Sequence, residues 1–183
     1  MIEILATLSA SAAAGMRIGI PLLIIGLLQG SNLWSQVPIL SHISSPILLG
    51  CLTTWSLIEL LASKKLWGQR VVQLVQLLLS PLVGAIMGLA VASATATPDW
   101  LIALIGGLLA LVLQLVQVGW FYRLRGLPLW AVFLQDTLCI ALVLFAFDAP
   151  KQGGLIAMIL LWLAVRSAKQ WYDWYRWGQR TRA

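Results

Sequence analysis

One arginine, two carboxylic acids and two matched pairs of glutamines stand inside segments otherwise built from apolar residues. Arg17 lies in the stretch S-A-S-A-A-A-G-M-R-I-G-I-P, Ser9 to Pro21; Glu59 lies in L-I-E-L-L-A; Asp136 follows Gln135. The tetrapeptide Q-L-V-Q occurs twice, giving Gln73 with Gln76 and Gln114 with Gln117. A guanidinium near the middle of a membrane helix costs roughly 2.5–3.5 kcal/mol on insertion scales and needs a partner or a water-filled cavity. Glu59 and Asp136 can supply the partner, and a spacing of three puts each glutamine pair on one helix face. The chemistry on offer is recognition: charge pairing plus amide donors and acceptors, suited to a small polar solute or an ion. With one positive charge against two carboxyls, a proton or a cation completes the balance. The same groups can also act as a structural network that fixes helix register.

Catalysis is not expected. There is no H-E-x-x-H, no G-x-S-x-G and no clustered aspartate motif for lipid phosphotransfer. His42 is the single histidine, and Cys51 and Cys139 sit apart in apolar segments with no metal or redox spacing. No catalytic residue, metal or cofactor is therefore assigned.

The elements that must position these residues are membrane helices. Of 183 residues 61% are apolar and 10% charged, with a mean hydropathy of +0.93, whereas a soluble domain carries about 25% charge. Six apolar segments are read, from Ile4 to Leu28, Pro46 to Ala62, Val71 to Ala92, Trp100 to Phe121, Pro128 to Phe147 and Gly153 to Val165. The expected fold is all-α, a polytopic transmembrane helical bundle over 1–165 followed by a basic, aromatic-rich interfacial helix and tail over 166–183. The linker from Gly30 to Ser45, with Trp34, Pro38 and His42, is expected at the interface or partly re-entrant.

Lysine and arginine concentrate on the cytoplasmic side of membrane proteins. Lys64, Lys65, Arg70, Arg123, Arg125, Arg166, Lys169, Arg176, Arg180 and Arg182 all fall on one side if the chain crosses six times. The other side then holds only Lys151, beside Asp99 and Asp148. That count predicts both termini in the cytoplasm. Glu59, Asp136 and the glutamines then share a depth near the cytoplasmic leaflet, and Arg17 reaches toward it. Pro21 and Pro81 are expected to distort their helices, while Gly84, Gly88, Gly106 and Gly107 allow close packing in the outer layer.

On a helical wheel the tail places Trp171, Trp174 and Tyr175 opposite Arg166, Lys169, Asp173, Arg176 and Arg180. Anionic lipid headgroups are the expected partner there, and a homo-oligomer is compatible with the pattern. Nucleic acid is not indicated, because the excess positive charge is explained by orientation.

The segments S-A-A-A-G-M-R-I-G-I-P-L-L, L-I-E-L-L-A and S-P-L-V-G-A resemble the bacterial membrane family catalogued as domain of unknown function 4126. By that resemblance Arg17, Pro21 and Glu59 match the family's recurring polar and proline positions. The chain departs from the family pattern between Leu66 and Gln76, where Trp67, Gln69, Arg70 and Gln73 stand. The resemblance implies the helical fold and a bacterial membrane, with the inner membrane expected, and carries no activity. Two functions stay open: a transporter or channel-like protein with a cytoplasm-facing polar vestibule, or a non-transporting scaffold or lipid-interacting protein.

Overall fold

The computed structural model describes residues 2–29, 44–62, 66–91, 98–124 and 128–180. Among the described residues there are seven α-helices and no strand. They are α1 (Ile2–Met16), α2 (Gly19–Gln29), α3 (Ser45–Ala62), α4 (Leu66–Val91), α5 (Asp99–Leu124), α6 (Leu129–Asp148) and α7 (Pro150–Arg180). Within these, Trp67–Val91, Asp99–Arg123 and Leu129–Asp148 are long and apolar enough to cross a membrane. Large apolar side chains such as Leu78, Leu104, Phe133 and Ile159 cover the outside of the bundle, a surface that suits lipid and not water. Nearly all of the linker from Gly30 to Ser45, including Trp34, Pro38 and His42, lies outside the described residues.

A helix can be buried on every side only if its neighbours approach from every side, and small residues permit that. In α1 every residue from Ser9 to Met16 is buried, and α4, α5, α6 and α7 all pack against it. Its hydroxyls bond to neighbouring backbones: Ser9 Oγ donates to the carbonyl of Leu142 at 2.6 Å and Ser11 Oγ to that of Gly84 at 3.0 Å. A Cβ on Gly15 would stand 2.8 Å from the Ala110 backbone, so only glycine permits this approach. The α4–α5 hairpin is closed in the same way, with the carbonyl of Gly84 facing Gly106 and that of Pro81 facing Gly107. Pro81 lies inside α4, which continues through it.

These contacts also fix the relative directions of the helices. Thr7 meets Gly88 near the end of α4, while Leu5 and Ser9 meet Gly154 and Gly153 at the start of α7. At the other end of α1, Met16 and Arg17 meet Gln135 and Asp136 in the first half of α6. So α1 runs antiparallel to α4 and α6, and parallel to α5 and α7. Its start lies at the end of the bundle that holds Asp99 and Lys151. The opposite end holds Arg123 and the far part of α7, joined where Trp120 Nε1 donates to Ser167 Oγ at 2.7 Å. The start of α1 and the end of α7 therefore sit at opposite ends of the bundle.

Met1-Ile2-Glu3 carries no lysine or arginine, so the charge rule has nothing with which to orient the first helix. The apolar run from Ile4 to Leu28 also hides a break. Helix α1 ends at Met16 and α2 begins at Gly19, packing mainly on α3 and α6. Pro21 accordingly falls in the first turn of α2, where a missing N–H leaves no intrahelical bond unmade. It was expected to distort one continuous helix; instead it follows the break.

The tail is a continuation of α7, helical to Arg180. The side chains of Trp171, Trp174, Tyr175 and Arg176 lie outside the described residues. Arg166 stacks over the exposed Trp162 ring at 5.2 Å.

Candidate functional site: the break in the central helix

A helix break in an apolar interior exposes carbonyls at one end and N–H groups at the other, and each needs a partner. Side chains from other helices provide them. Gln135 Nε2, on α6, donates to the carbonyl of Met16 at 2.7 Å. Glu59, on α3, accepts from the Gly19 N–H at 2.9 Å and the Ile18 N–H at 3.4 Å. The carboxylate thus caps the start of α2, where the helix dipole favours negative charge. Gly19 is required by this arrangement: a Cβ there would lie 2.7 Å from Ser56 Oγ and 2.8 Å from Glu59 Oε2.

Arg17 stands in the gap between the two helices. Its Nε donates to Asp136 Oδ1 at 2.7 Å, and its Nη1 is 4.0 Å from Glu59 Oε1. From Glu59 a line of amides crosses the bundle. Gln76 Nε2 on α4 donates to Glu59 Oε1, and Gln114 Nε2 on α5 donates to Gln76 Oε1 at 3.4 Å. Gln117 Oε1, also on α5, accepts from Gln135 Nε2 at 3.1 Å. Arg17, Glu59, Gln73, Gln76 and Gln114 are all buried, Glu59 at 1% exposure.

The structure thus brings Arg17, Glu59, Asp136, Gln76, Gln114, Gln117 and Gln135 into one connected network. Gln73 is beside it but outside its hydrogen bonds. Next to Arg17 is a small, partly open cleft of about 20 Å³, lined by Arg17, Gln69, Val72, Gln73, Gln76, Val132 and Gln135. Glu59, Asp136, Gln114 and Gln117 do not line it. They hold the residues that do, so they are positioning groups in this geometry. The cleft lies in the half of the bundle where α4 starts, toward Arg70 and away from Asp99.

Reading the sequence missed Gln69, and it missed the N–H groups of Ile18 and Gly19. Gln69 was detectable: Gln69, Gln73 and Gln76 follow the i, i+4, i+7 spacing of one helix stripe. The backbone donors carry no residue-type signal.

Fold and site together define an all-α bundle containing helices able to cross a membrane, built around a broken central helix with a charged and amide-lined junction. The chain belongs to the family described as domain of unknown function, DUF4126, whose model matches residues 4–170. No curated protein and no solved structure matches it.

Proposed function

We propose that this protein is a membrane transporter or channel-like protein that admits a small polar solute or ion to the break in its central helix. The observation that carries the reading is the cleft itself. It places a guanidinium and four glutamines around one opening at the point where α1 stops and α2 starts. Broken helices whose ends face a cavity at mid-bundle are a device for binding solutes inside a membrane. On the far side of the cleft, the glycine contacts of α4 and α5 seal the bundle around α1. A cleft open at one end and closed at the other is what one state of a carrier requires.

In this reading α3 to α7 cross the membrane, and α1 with α2 forms a re-entrant pair. At 15 and 11 residues, each of the two is shorter than the ~20 residues needed to cross alone. The basic end lies in the cytoplasm, and the start of α1 lies on the other side. The location is the bacterial inner membrane, the residues 166–183 engage anionic headgroups, and no catalytic role is assigned.

Proteoliposomes carrying the purified protein test this. Swelling in gradients of small polar solutes and ions should exceed that of protein-free vesicles and should fall with Arg17→Ala. A folded, monodisperse protein that moves nothing from such a panel would leave the second reading, a structural or lipid-interacting bundle. That alternative has its own observation: Glu59 and Gln135 cap both ends of the break from within the protein.

A further inference from the structure

The outer surface where α4 meets α5 carries a feature that the break in the central helix does not use. The spans Trp67–Val91 and Asp99–Arg123 lie antiparallel, so Arg70 near the start of one and Tyr122 near the end of the other flank the same crevice. Its walls include Leu74, Leu77, Val118 and Phe121. We propose that this seam binds an anionic phospholipid, with the phosphate on Arg70 and Tyr122 and an acyl chain along the apolar side chains below them.

The sequence of each helix repeats that division of a lipid into head and chain. On α4, Arg70, Leu74 and Leu78 follow i, i+4, i+8; on α5, Tyr122, Val118 and Leu115 follow i, i−4, i−7. Each stripe thus has one polar group at its outer end and apolar residues beneath it. Leu74, Leu78 and Leu115 are all exposed. The rise from Arg70 to Leu78 is about 12 Å, most of the ~15 Å that one leaflet's hydrocarbon spans. The crevice itself measures about 10 Å³, roughly the room of one water. A ligand that needs enclosure does not fit there, whereas a lipid needs a surface and a notch for one of its oxygens.

Charge decides which lipid. Among the described residues Arg70 makes no ion pair, since both bridges belong to Arg17, and no carboxylate lines the crevice. The Arg70 guanidinium lies over the exposed Trp67 ring at 5.7 Å, a contact that leaves its N–H groups available to an anion. Trp67 and the exposed Tyr122 are the aromatic types that stand at headgroup depth. A headgroup with a net negative charge meets its complement here; the quaternary amine of a zwitterionic one meets no acid.

Photocrosslinking at the seam tests this on the full chain. With p-benzoylphenylalanine replacing the exposed Leu74, the protein is placed in nanodiscs of phosphatidylglycerol and phosphatidylcholine in equal amounts. Capture at this position reports the seam and not the C-terminal tail. Mass spectrometry of the adduct should show phosphatidylglycerol favoured by about fivefold, the effect of one arginine near an anionic surface. Arg70→Gln, at an exposed position, should remove that preference, and Arg70→Lys, which keeps the charge, should retain most of it. Equal capture of the two lipids by the protein with Arg70 intact overturns the proposal. So does a preference that persists in Arg70→Gln, which would assign the anionic lipid to other basic residues. Loss of the preference in millimolar inorganic phosphate also overturns it, because the ligand would then be the free ion.

Discussion

Glu59→Gln keeps the shape of the buried carboxylate and removes its charge, so it isolates what that charge does. The wild-type group accepts from Gly19, Ile18 and Gln76 and lies 4.0 Å from Arg17. Hydrogen bonds to a charged group contribute about 1.5–3 kcal/mol each. A glutamine can present its oxygen to the start of α2 or to Gln76. Its amino end must then face the other donor. One of those contacts becomes donor against donor, and Arg17 keeps only Asp136. Removing one member of a buried ionic set costs about 3–5 kcal/mol, and we expect Glu59→Gln to fall in that range. Asp136→Asn is the control. Its side chain is 15% exposed and takes one bond from Arg17, an asparagine oxygen can still accept it, and the expected loss is about 1 kcal/mol. Equilibrium unfolding in mixed micelles, followed by circular dichroism, measures both. If Glu59→Gln is as stable as wild type, or less damaging than Asp136→Asn, Glu59 does not hold the break together.

Further outcomes follow from the packing and the topology. Gly19→Ala should destabilise by about 1–3 kcal/mol in the same assay, because its Cβ meets Ser56 and Glu59 at 2.7 and 2.8 Å. Gly106→Ala should do likewise, with its Cβ 2.6 Å from the Gly84 carbonyl and from Ser11 Oγ. Gln73→Leu should unfold no earlier than wild type, since it removes a buried acceptor that has no partner. Epitope tags placed before Ile2 and after Arg180 should be digested by protease from opposite faces of sealed vesicles; digestion of both from one face would restore an even number of crossings.

How much was legible in the amino-acid sequence depended on which residues announce themselves. Arg17, Glu59, Asp136 and the two Q-L-V-Q pairs stand out because charge and amide groups are expensive in an apolar segment, and the fold does join most of them. Their roles were not legible. Whether Glu59 faces a solute or the backbone of α2 depends on where the helix stops, and the run from Ile4 to Leu28 gives no hydropathy signal at Met16. Gln69 was passed over because it precedes the apolar segment that begins at Val71 and read as loop. The direction of the first helix was not legible, because Met1-Ile2-Glu3 carries no lysine or arginine by which to orient it. The crowding around Gly84 and Gly106 was foreseen from glycine spacing, since absence of a side chain matters most where backbones meet.

A cleft beside Arg17 that solvent reaches from the basic end of the bundle is what the proposed transport requires. The most direct measurement is labelling of a cysteine at position 73, as Gln73→Cys in a Cys51→Ala background, by a membrane-impermeant maleimide in vesicles of both orientations. Reaction only from the face that carries Arg123 and the end of α7 is the expected result. Reaction from the face that carries Asp99 and Lys151, or from neither face in a folded protein, would contradict it.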